Sequence, residues 1–343
     1  MTDPAGAALL AAEGLHVHFP TGRRHESVRA VDGVDFAVRR GETFGVIGES
    51  GSGKSTLARA LVCLARPTAG RVLHRGQDPF AMRRGALRRH RRQFQIVFQD
   101  PNAALDPRMT IGQSVREPLD VAGDGTRADR DARALHVLDR VGLRADTAGR
   151  YPHELSGGQK QRANIARALT TGPELIVCDE VVAALDASIQ ADVLNLLADL
   201  QAQLGITYVF ITHDLGVVAH VSDRVAVMYL GRIMELGPAE ALHARPRHPY
   251  TKALLAAEPV PLPARLRPPR AAPLQGEIPS PIHPPSGCRF RTRCPIATPL
   301  CAASVPDWRE DGAGHGAACH YAGPDTPASI QHAQHMAPAR AGA

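Results

Sequence analysis

Long apolar runs are missing from this chain of 343 residues. No stretch approaches the roughly 18 uninterrupted apolar residues that would span a bilayer, so any work at a membrane must be shared with other chains. The first residues, Met1-Thr2-Asp3-Pro4, lack the basic and apolar segments of a secretory signal. The expectation is a chain that stays in the cytosol with its cysteines reduced. Aromatic residues are scarce at 4%, which leaves no stacking platform of the kind used by binders of single-stranded nucleic acid. No internal repeat is visible. What is there is an apolar share of 44% and a charged share of 22%, enough for a substantial core and one large α/β domain with an appendage. The net charge of +6 includes a run at Arg83, Arg84, Arg88, Arg89, Arg91 and Arg92. Such a run can grip phosphate backbones or anionic headgroups. A solvated face is its commoner use, and no nucleic-acid partner is expected.

Patterning sets out the organisation. Alternation around Leu15, Val17 and Phe19, then Val34, Phe36 and Val38, predicts strands of an antiparallel edge layer. Thr43 to Ile47 is a short apolar run, and Thr56 to Leu64 reads as a helix. Gln95 to Phe98 predicts another strand. From Gly112 to Ala168 the pattern is mostly helical, with Ala132, Leu135, Leu138 and Val141 at helical spacing. Leu175 to Cys178 reads as a buried strand ending in Asp179-Glu180. A helix follows, with Ile189, Val193, Leu196, Leu197, Leu200 and Leu204 on one stripe. Ile206 to Ile211 then leads to Thr212-His213. Strands alternating with helices predict a parallel sheet, whose ligands gather at the carboxyl ends of the strands. Lys54, Asp179, Glu180 and His213 all fall at such ends. Beyond Leu255, prolines at 259, 261, 263, 268, 269, 273, 279, 281, 284 and 285 exclude helix and central strand alike and predict an extended, semi-rigid linker.

Two strings carry the chemistry. Gly48-Glu49-Ser50-Gly51-Ser52-Gly53-Lys54-Ser55 lies between a predicted strand and a predicted helix, the setting that makes a phosphate-binding glycine loop credible. Its backbone N–H groups can turn toward phosphate oxygens at the positive end of the following helix. Lys54 then reaches the β- and γ-phosphates, and the Ser55 hydroxyl ligates Mg²⁺. Asp179 suits the magnesium shell, and Glu180 can orient and deprotonate an attacking water. Gln99 can touch Mg²⁺ or that water through its amide, although a glutamine after a strand is more often a surface residue. His213 can hydrogen-bond the γ-phosphate, although a lone histidine is more often structural. The second string, Leu155-Ser156-Gly157-Gly158-Gln159, has no work to do in most glycine-loop proteins. Finding both strings in one chain implies an ATPase whose site is completed by a second subunit.

Together these parts resemble the ATP-binding subunits of ABC transporters over about residues 9–257. GESGSGKS, with Thr56 following, is similar to Walker A, Gln99 to the Q-loop and LSGGQ to the signature. LIVCDE is similar to Walker B with its catalytic glutamate, Ala184-Leu185-Asp186 to the D-loop, and His213 to the switch histidine. The resemblance implies an α/β P-loop NTPase with a RecA-like core, an antiparallel β edge layer and a helical subdomain at about 102–170. It also implies a head-to-tail dimer, in which Ser156, Gly157, Gly158, Gln159 and Asp186 of one subunit close over ATP held by the other. Phe19 sits where the family stacks an aromatic on adenine; its other reading is a core phenylalanine on an edge strand. One departure is plain: the family usually has proline and serine where this chain has Val181 and Ala183, which puts the turn into the D-loop in question.

A narrower resemblance is to the dipeptide/oligopeptide permease ATPases, most of all their F-type subunit. It rests on Val97 to Asn102, Leu105 to Thr110, Ser188-Ile189-Gln190 with Val193 to Leu197, and His248 to Leu255. It implies a motor for peptide import, peripheral at the cytoplasmic face of the inner membrane. Its partners would be two transmembrane permease subunits and a second ATP-binding subunit, similar or identical, fed by an extracytoplasmic binding protein. Importers of nickel, glutathione or other small solutes share these motifs. A soluble ABC-type ATPase is the alternative outside transport.

Behind the linker (258–287), Cys288, Cys294, Cys301 and Cys319 are separated by 5, 6 and 17 residues in a segment expected at 288–322, followed by a tail, 323–343, expected to be disordered. In a reducing compartment four such thiols point to metal rather than disulfides. They lack the close opening pair of most zinc sites, they can hold an iron–sulfur cluster, and they can be unligated thiols in a packed loop. The resemblance favours a [4Fe-4S] cluster. Cys63 and Cys178 read as small core residues.

Overall fold

The computed structural model describes residues 8–23, 26–183, 185–257 and 276–322. Most of the expected linker (258–275), the expected tail (323–343) and Ala184 lie outside the described residues. The expected edge layer is a separate three-stranded antiparallel sheet of order β2-β1-β4, built from β1 (Ala8–Pro20), β2 (Ser27–Arg39) and β4 (Ala69–His74). Strand β4 is an element the sequence reading did not anticipate. A second sheet holds β3 (Thr43–Ile47), β5 (Phe94–Val97), β6 (Leu175–Asp179), β7 (Thr207–Thr212), β8 (Arg224–Tyr229), β9 (Arg232–Pro238), β10 (Trp308–Glu310) and β11 (Gly316–Ala318). Its order is β10-β11-β9-β8-β3-β7-β6-β5. The run from β8 through β3, β7 and β6 to β5 is parallel, as expected, and the other pairings are antiparallel.

Both faces of the parallel strands are covered, which is why they read as continuous apolar runs. In β6, Leu175 and Val177 face a core shared with Leu10, Leu15, Val34, Leu57 and Leu61 under the antiparallel sheet. Ile176 and Cys178 face the other way, against Leu138, Ile165, Val193 and Leu197. Cys63 and Cys178 are both buried and free of disulfides. Burial pushes the Cys63 thiol up to about 12, so both are inert core groups.

Several boundaries move. The helix after the glycine loop spans Lys54–Leu61: it starts earlier than the pattern indicated, directly after Gly53, and it ends earlier because Cys63 turns the chain with φ of 63°. The helical region resolves into Ile111–Ala122, Arg127–Arg140 and Gly157–Leu169, each with a Thr or Ser capping box at its start. Within Arg127–Arg140 the buried residues are Ala134 and Leu138, whereas Ala132 and Leu135 face solvent. The inward stripe is therefore Ala134, Leu138 and Val141. Leu204, expected on the buried stripe of Ala187–Leu204, is exposed in its last turn. Half of the arginine run is anchored within the chain. Arg91 donates to the Cys63 carbonyl at 2.7 Å, Arg88 to the Val121 carbonyl, and Arg92 pairs with Asp124.

The cysteine-bearing segment is continuous with the main sheet. Strand β11 pairs with β9 through Gly316↔Leu236 and Ala317↔Glu235, and β10 closes the edge. Fully buried Phe290 packs on Tyr229 and Tyr250, with ring centroids 5.4 and 5.2 Å away. The corrected stripe of the helical region makes a testable contrast. Leu138→Ala should destabilise the chain by about 2–5 kcal/mol, and Leu135→Ala by less than about 0.5 kcal/mol, as read from chemical unfolding. Equal effects would contradict the assignment of the buried face.

Candidate functional site

The register of the parallel strands brings the candidate residues to one edge. Val97 pairs with Cys178, Asp179 with Ile211, and Ile47 with Thr212. The chain therefore leaves β5, β6, β7 and β3 at one level, delivering Gln99, Glu180, His213 and the glycine loop together. Two glycines let the loop press against its neighbours. A Cβ on Gly53, whose φ is 104°, would lie 1.9 Å from the Ala30 carbonyl oxygen, and one on Gly48 would lie 2.1 Å from that of Met228. No side chain fits either place.

Lys54 is buried, and its Nζ donates to the carbonyls of Gly48 (2.7 Å) and Glu49 (3.0 Å), so the loop is curled around the ammonium. Burial lowers its pKa, and Glu180, Asp179 and Glu49 work against that shift. The Ser55 hydroxyl donates to Asp179 Oδ1 at 3.3 Å, which unites two of the candidate magnesium ligands. Burial raises the Asp179 carboxyl above the usual range, and the neighbouring Glu180 adds to this; Ser55, Arg59 and Lys54 oppose it. A hard divalent cation would reverse that shift and suits this oxygen-donor set.

Glu180 stands in the left-handed region, with φ of 51°. A non-glycine residue holds that conformation only where its surroundings enforce it. Here its N–H donates to the Ile211 carbonyl at 2.8 Å, and Gln99 Nε2 donates to its Oε2 at 2.8 Å. His213 Nδ1 lies 3.4 Å from its Oε1. The carboxylate is thus held between the two residues whose isolated sequence signals were weakest. The departures at Val181 and Ala183 leave the turn closed. Val181 is buried, Ala183 N–H donates to the Glu180 carbonyl at 3.1 Å, and Leu185 N–H donates to that of Val182 at 3.1 Å.

Phe19 is 46% exposed and pairs with Val28, two residues before the Ala30 carbonyl that touches Gly53. It is a surface ring rather than a core phenylalanine. Ser156 and Gln159 cap the helix Gly157–Leu169: Gln159 N–H donates to Ser156 Oγ at 3.3 Å, and Ser156 N–H to Gln159 Oε1 at 3.0 Å. Ser156 and Gly157 are exposed, and Gly158 is buried because a Cβ there would lie 2.7 Å from Ile189 Cγ2. Asp186, exposed, precedes the helix Ala187–Leu204. Among the described residues, no hydrogen bond joins Ser156–Gln159 or Asp186 to residues 48–56. One protomer does not bring these segments onto its own loop.

The four extension cysteines line one small enclosed cavity with Ile296 and Tyr321. Backbone N–H groups two residues on from Cys288, Cys294 and Cys319 are turned toward the sulfurs; that of Tyr321 reaches Cys319 Sγ at 3.4 Å. Burial pushes the Cys288 thiol up to about 11 and Cys294 to about 12. Buried thiols met by N–H donors are the environment in which a metal-bound thiolate is stabilised, so the residues fit a thiolate-held centre. Among the described residues, the set of three candidate ligands converging within 4.8 Å is His16, His18 and Asp32. Asp32 is committed elsewhere. Its Oδ2 meets Arg289, with Arg232 at 3.7 Å, and both imidazoles reach Oδ1. Burial works to raise this carboxyl, and Arg289, His18, Arg232 and His16 outweigh it, so its pKa lies below the usual range. Two guanidinium groups at the carboxylate are hostile to a further cation.

Sequence reasoning missed the contacts beneath the loop: Tyr250 to Glu49, Arg293 to Glu49 and Arg289 to Asp32. The only local signals were a tyrosine in the first turn of a helix and an arginine beside each of two cysteines.

The family described as ABC transporter matches residues 31–183, and that described as oligopeptide/dipeptide transporter, C-terminal region, matches residues 234–301. A probable peptide ABC transporter ATP-binding protein of Sinorhizobium fredii is 52% identical over 94% of this chain and 92% of its own length. Oligopeptide transport ATP-binding protein AppF of Bacillus subtilis is 49% identical, over 87% of this chain and 91% of its own. A dimeric ATP-binding cassette solved in a post-hydrolysis state with ADP and Pi superposes with a TM-score of 0.61. It is 31% identical, over 67% of this chain and 98% of that one. The chain belongs to the ATP-binding subunits of ABC transporters, in the group bearing the oligopeptide/dipeptide transporter C-terminal region, and is an ATPase of that type.

Proposed function

We propose that this chain is the motor subunit of a peptide importer, hydrolysing ATP at an interface between two ATP-binding subunits. The observation that carries the reading is the clasp on Glu180 by Gln99 and His213 at the edge where the loop around Lys54 opens. The relatives named for peptide and oligopeptide transport supply the substrate class. Residues Gly48 to Thr56 cradle the triphosphate, and Phe19 stacks on the base. Ser55, Gln99 and Asp179 would hold Mg²⁺, which when bound neutralises phosphate charge. Glu180 takes the proton of the attacking water. His213 would hydrogen-bond the γ-phosphate and so sense its loss. The exposed helix start at Ser156, Gly157, Gly158 and Gln159 offers N–H groups and a positive dipole end to the phosphates of a partner, with Asp186 beside it. Closure on ATP and reopening after hydrolysis would drive two permease subunits at the cytoplasmic face of the membrane. Among the described residues, no helix is long and apolar enough to cross it, which is consistent with peripheral attachment.

In this reading residues 9–257 form the motor domain and 288–322 an extension whose Cys288, Cys294, Cys301 and Cys319 hold a [4Fe-4S] cluster. This part of the reading rests on the four cysteines lining one small cavity and on the capacity of four thiolates to hold such a cluster.

Three outcomes test these assignments. Lys54→Ala should abolish ATP binding, and Glu180→Gln should keep binding while lowering turnover about 10²–10⁴-fold. ATP-loaded Glu180→Gln protein should form a dimer by light scattering, with the partner subunit if one is required. Ser156→Arg added to it should prevent that dimer. An ATP-trapped monomer would overturn the shared-site reading. Anaerobically purified protein should be brown and iron-bearing. Because the buried thiols must lose protons on loading, iron should be lost more readily as pH falls; colourless, iron-free protein with four titratable extension thiols would remove the cluster.

A further inference from the structure

The phosphate loop contains an acidic side chain, Glu49, which by itself would repel a polyphosphate. The structure places all three of its polar groups in fixed contacts. Its carbonyl accepts from Lys54 at 3.0 Å, and its N–H donates to the Tyr250 hydroxyl at 2.9 Å. Its carboxylate meets a guanidinium fork: Arg293 Nη1 donates to Oε2 at 2.5 Å and Nη2 to Oε1 at 3.0 Å. Arg293 comes from the cysteine-bearing segment, and its side chain is only 6% exposed. Its guanidinium carbon also lies 5.9 Å from the centre of the Tyr229 ring, so the fork is held by an aromatic face as well as by the carboxylate.

A second arginine of the same turn braces the neighbouring strand. Arg289 pairs with buried Asp32. The Asp32 N–H donates to the Gly231 carbonyl at 2.8 Å, and the Gly231 N–H donates to Ser52 in the loop at 2.9 Å. The sequence Cys288-Arg289-Phe290-Arg291-Thr292-Arg293-Cys294 sets each of these arginines beside a cysteine. The intervening turn is closed by Arg291 N–H to the Cys288 carbonyl (3.2 Å) and Arg293 N–H to the Phe290 carbonyl (3.0 Å). Sulfurs and guanidinium groups are therefore carried by one short, internally bonded piece of chain.

We propose that Arg293 is a positioning residue of the ATP site, cancelling the Glu49 charge and holding the loop, so that the extension is a working part of that site. The inference rests on residues 48–56 being the phosphate loop. Its energetic logic is charge cancellation at close range: a guanidinium removed from a partly buried carboxylate leaves an uncompensated negative group in the loop that must accept a polyphosphate. Lysine keeps the charge without the planar fork and serves only in part.

The test is equilibrium binding of a fluorescent ATP analogue to the full-length chain, with melting temperature recorded for every variant. Arg293→Gln should weaken nucleotide affinity about tenfold, and Arg293→Lys should fall between it and the wild type. Glu49→Gln serves as the reference of the cycle: the double variant Glu49→Gln/Arg293→Gln should bind as tightly as Glu49→Gln alone, because with the carboxylate gone there is no uncancelled charge for the loss of Arg293 to expose. Such a rescue separates charge cancellation from a general loss of packing, which Glu49→Gln could not repair. Should Arg293→Gln melt too low to be titrated, Arg293→Lys with and without Glu49→Gln makes the same comparison. Unchanged affinity in a folded Arg293 variant, or a double variant as weak as Arg293→Gln alone, overturns the proposal. Lys54→Ala run in parallel keeps the two readings apart. If it binds nucleotide normally, the phosphate-loop assignment fails; if it alone loses binding, only the role of Arg293 does.

Discussion

Backbone pressed on backbone beneath the glycine loop is the constraint on which the remainder depends. Gly53 sits against the Ala30 carbonyl and Gly48 against that of Met228, at separations that admit no β-carbon. This contact brings β2 from the antiparallel sheet and β8 from the parallel sheet under the same few residues. Only with both in place does the loop close on Lys54 and set Ser55 against Asp179. A phosphate-binding nest needs its N–H groups held in one orientation before the ligand arrives, since ordering them afterwards would consume binding energy. The two sheets do that ordering at the folding stage.

Strain and charge are distributed around this support. Glu180 occupies a costly backbone conformation, of order 1–3 kcal/mol, and is fixed by Ile211, Gln99 and His213. Both side-chain contacts are exposed and made by residues just beyond the ends of other strands, so they are suited to exchange for water or phosphate. By contrast, the contacts under the loop through Tyr250, Arg293 and Arg289 are buried or nearly so. The site therefore has a soft rim that can respond to nucleotide and a stiff base that cannot.

The reading of residues and the folded chain agree most closely where an element is long or a motif contiguous. Strands β1 and β2 and the helical region were legible from periodicity, and β3, β6 and β7 from short apolar runs, whereas β4 and the strands from β8 onward were not anticipated. They diverge where tertiary packing selects among equivalent options. Ala132 and Leu135 have helical spacing as good as that of Ala134 and Leu138, and only the position of neighbouring helices turns the latter pair inward. Strand β4 begins with exposed residues and carries little alternation, so its pairing with β1 gave no periodic signal. Gln99 and His213 were individually weak candidates that gained meaning when register placed them on either side of Glu180.

The glycine loop, the serine-glycine turn and the acidic pair after β6 are strings whose chemistry follows from adjacent atoms, because the hydrogen bonds they use lie within a few residues. That is why they could be read in one dimension. The pairing of Arg293 with Glu49 spans 244 positions, and that of Arg289 with Asp32 spans 257. Nothing local distinguishes those arginines from the many on the surface. Their partners are chosen by β11 joining the edge of β9 and by Phe290 burying against Tyr229 and Tyr250, which carries the cysteine-bearing turn underneath the nucleotide loop. Long-range charge pairs depend on where the chain is brought back, and that is set by the packing of the whole core.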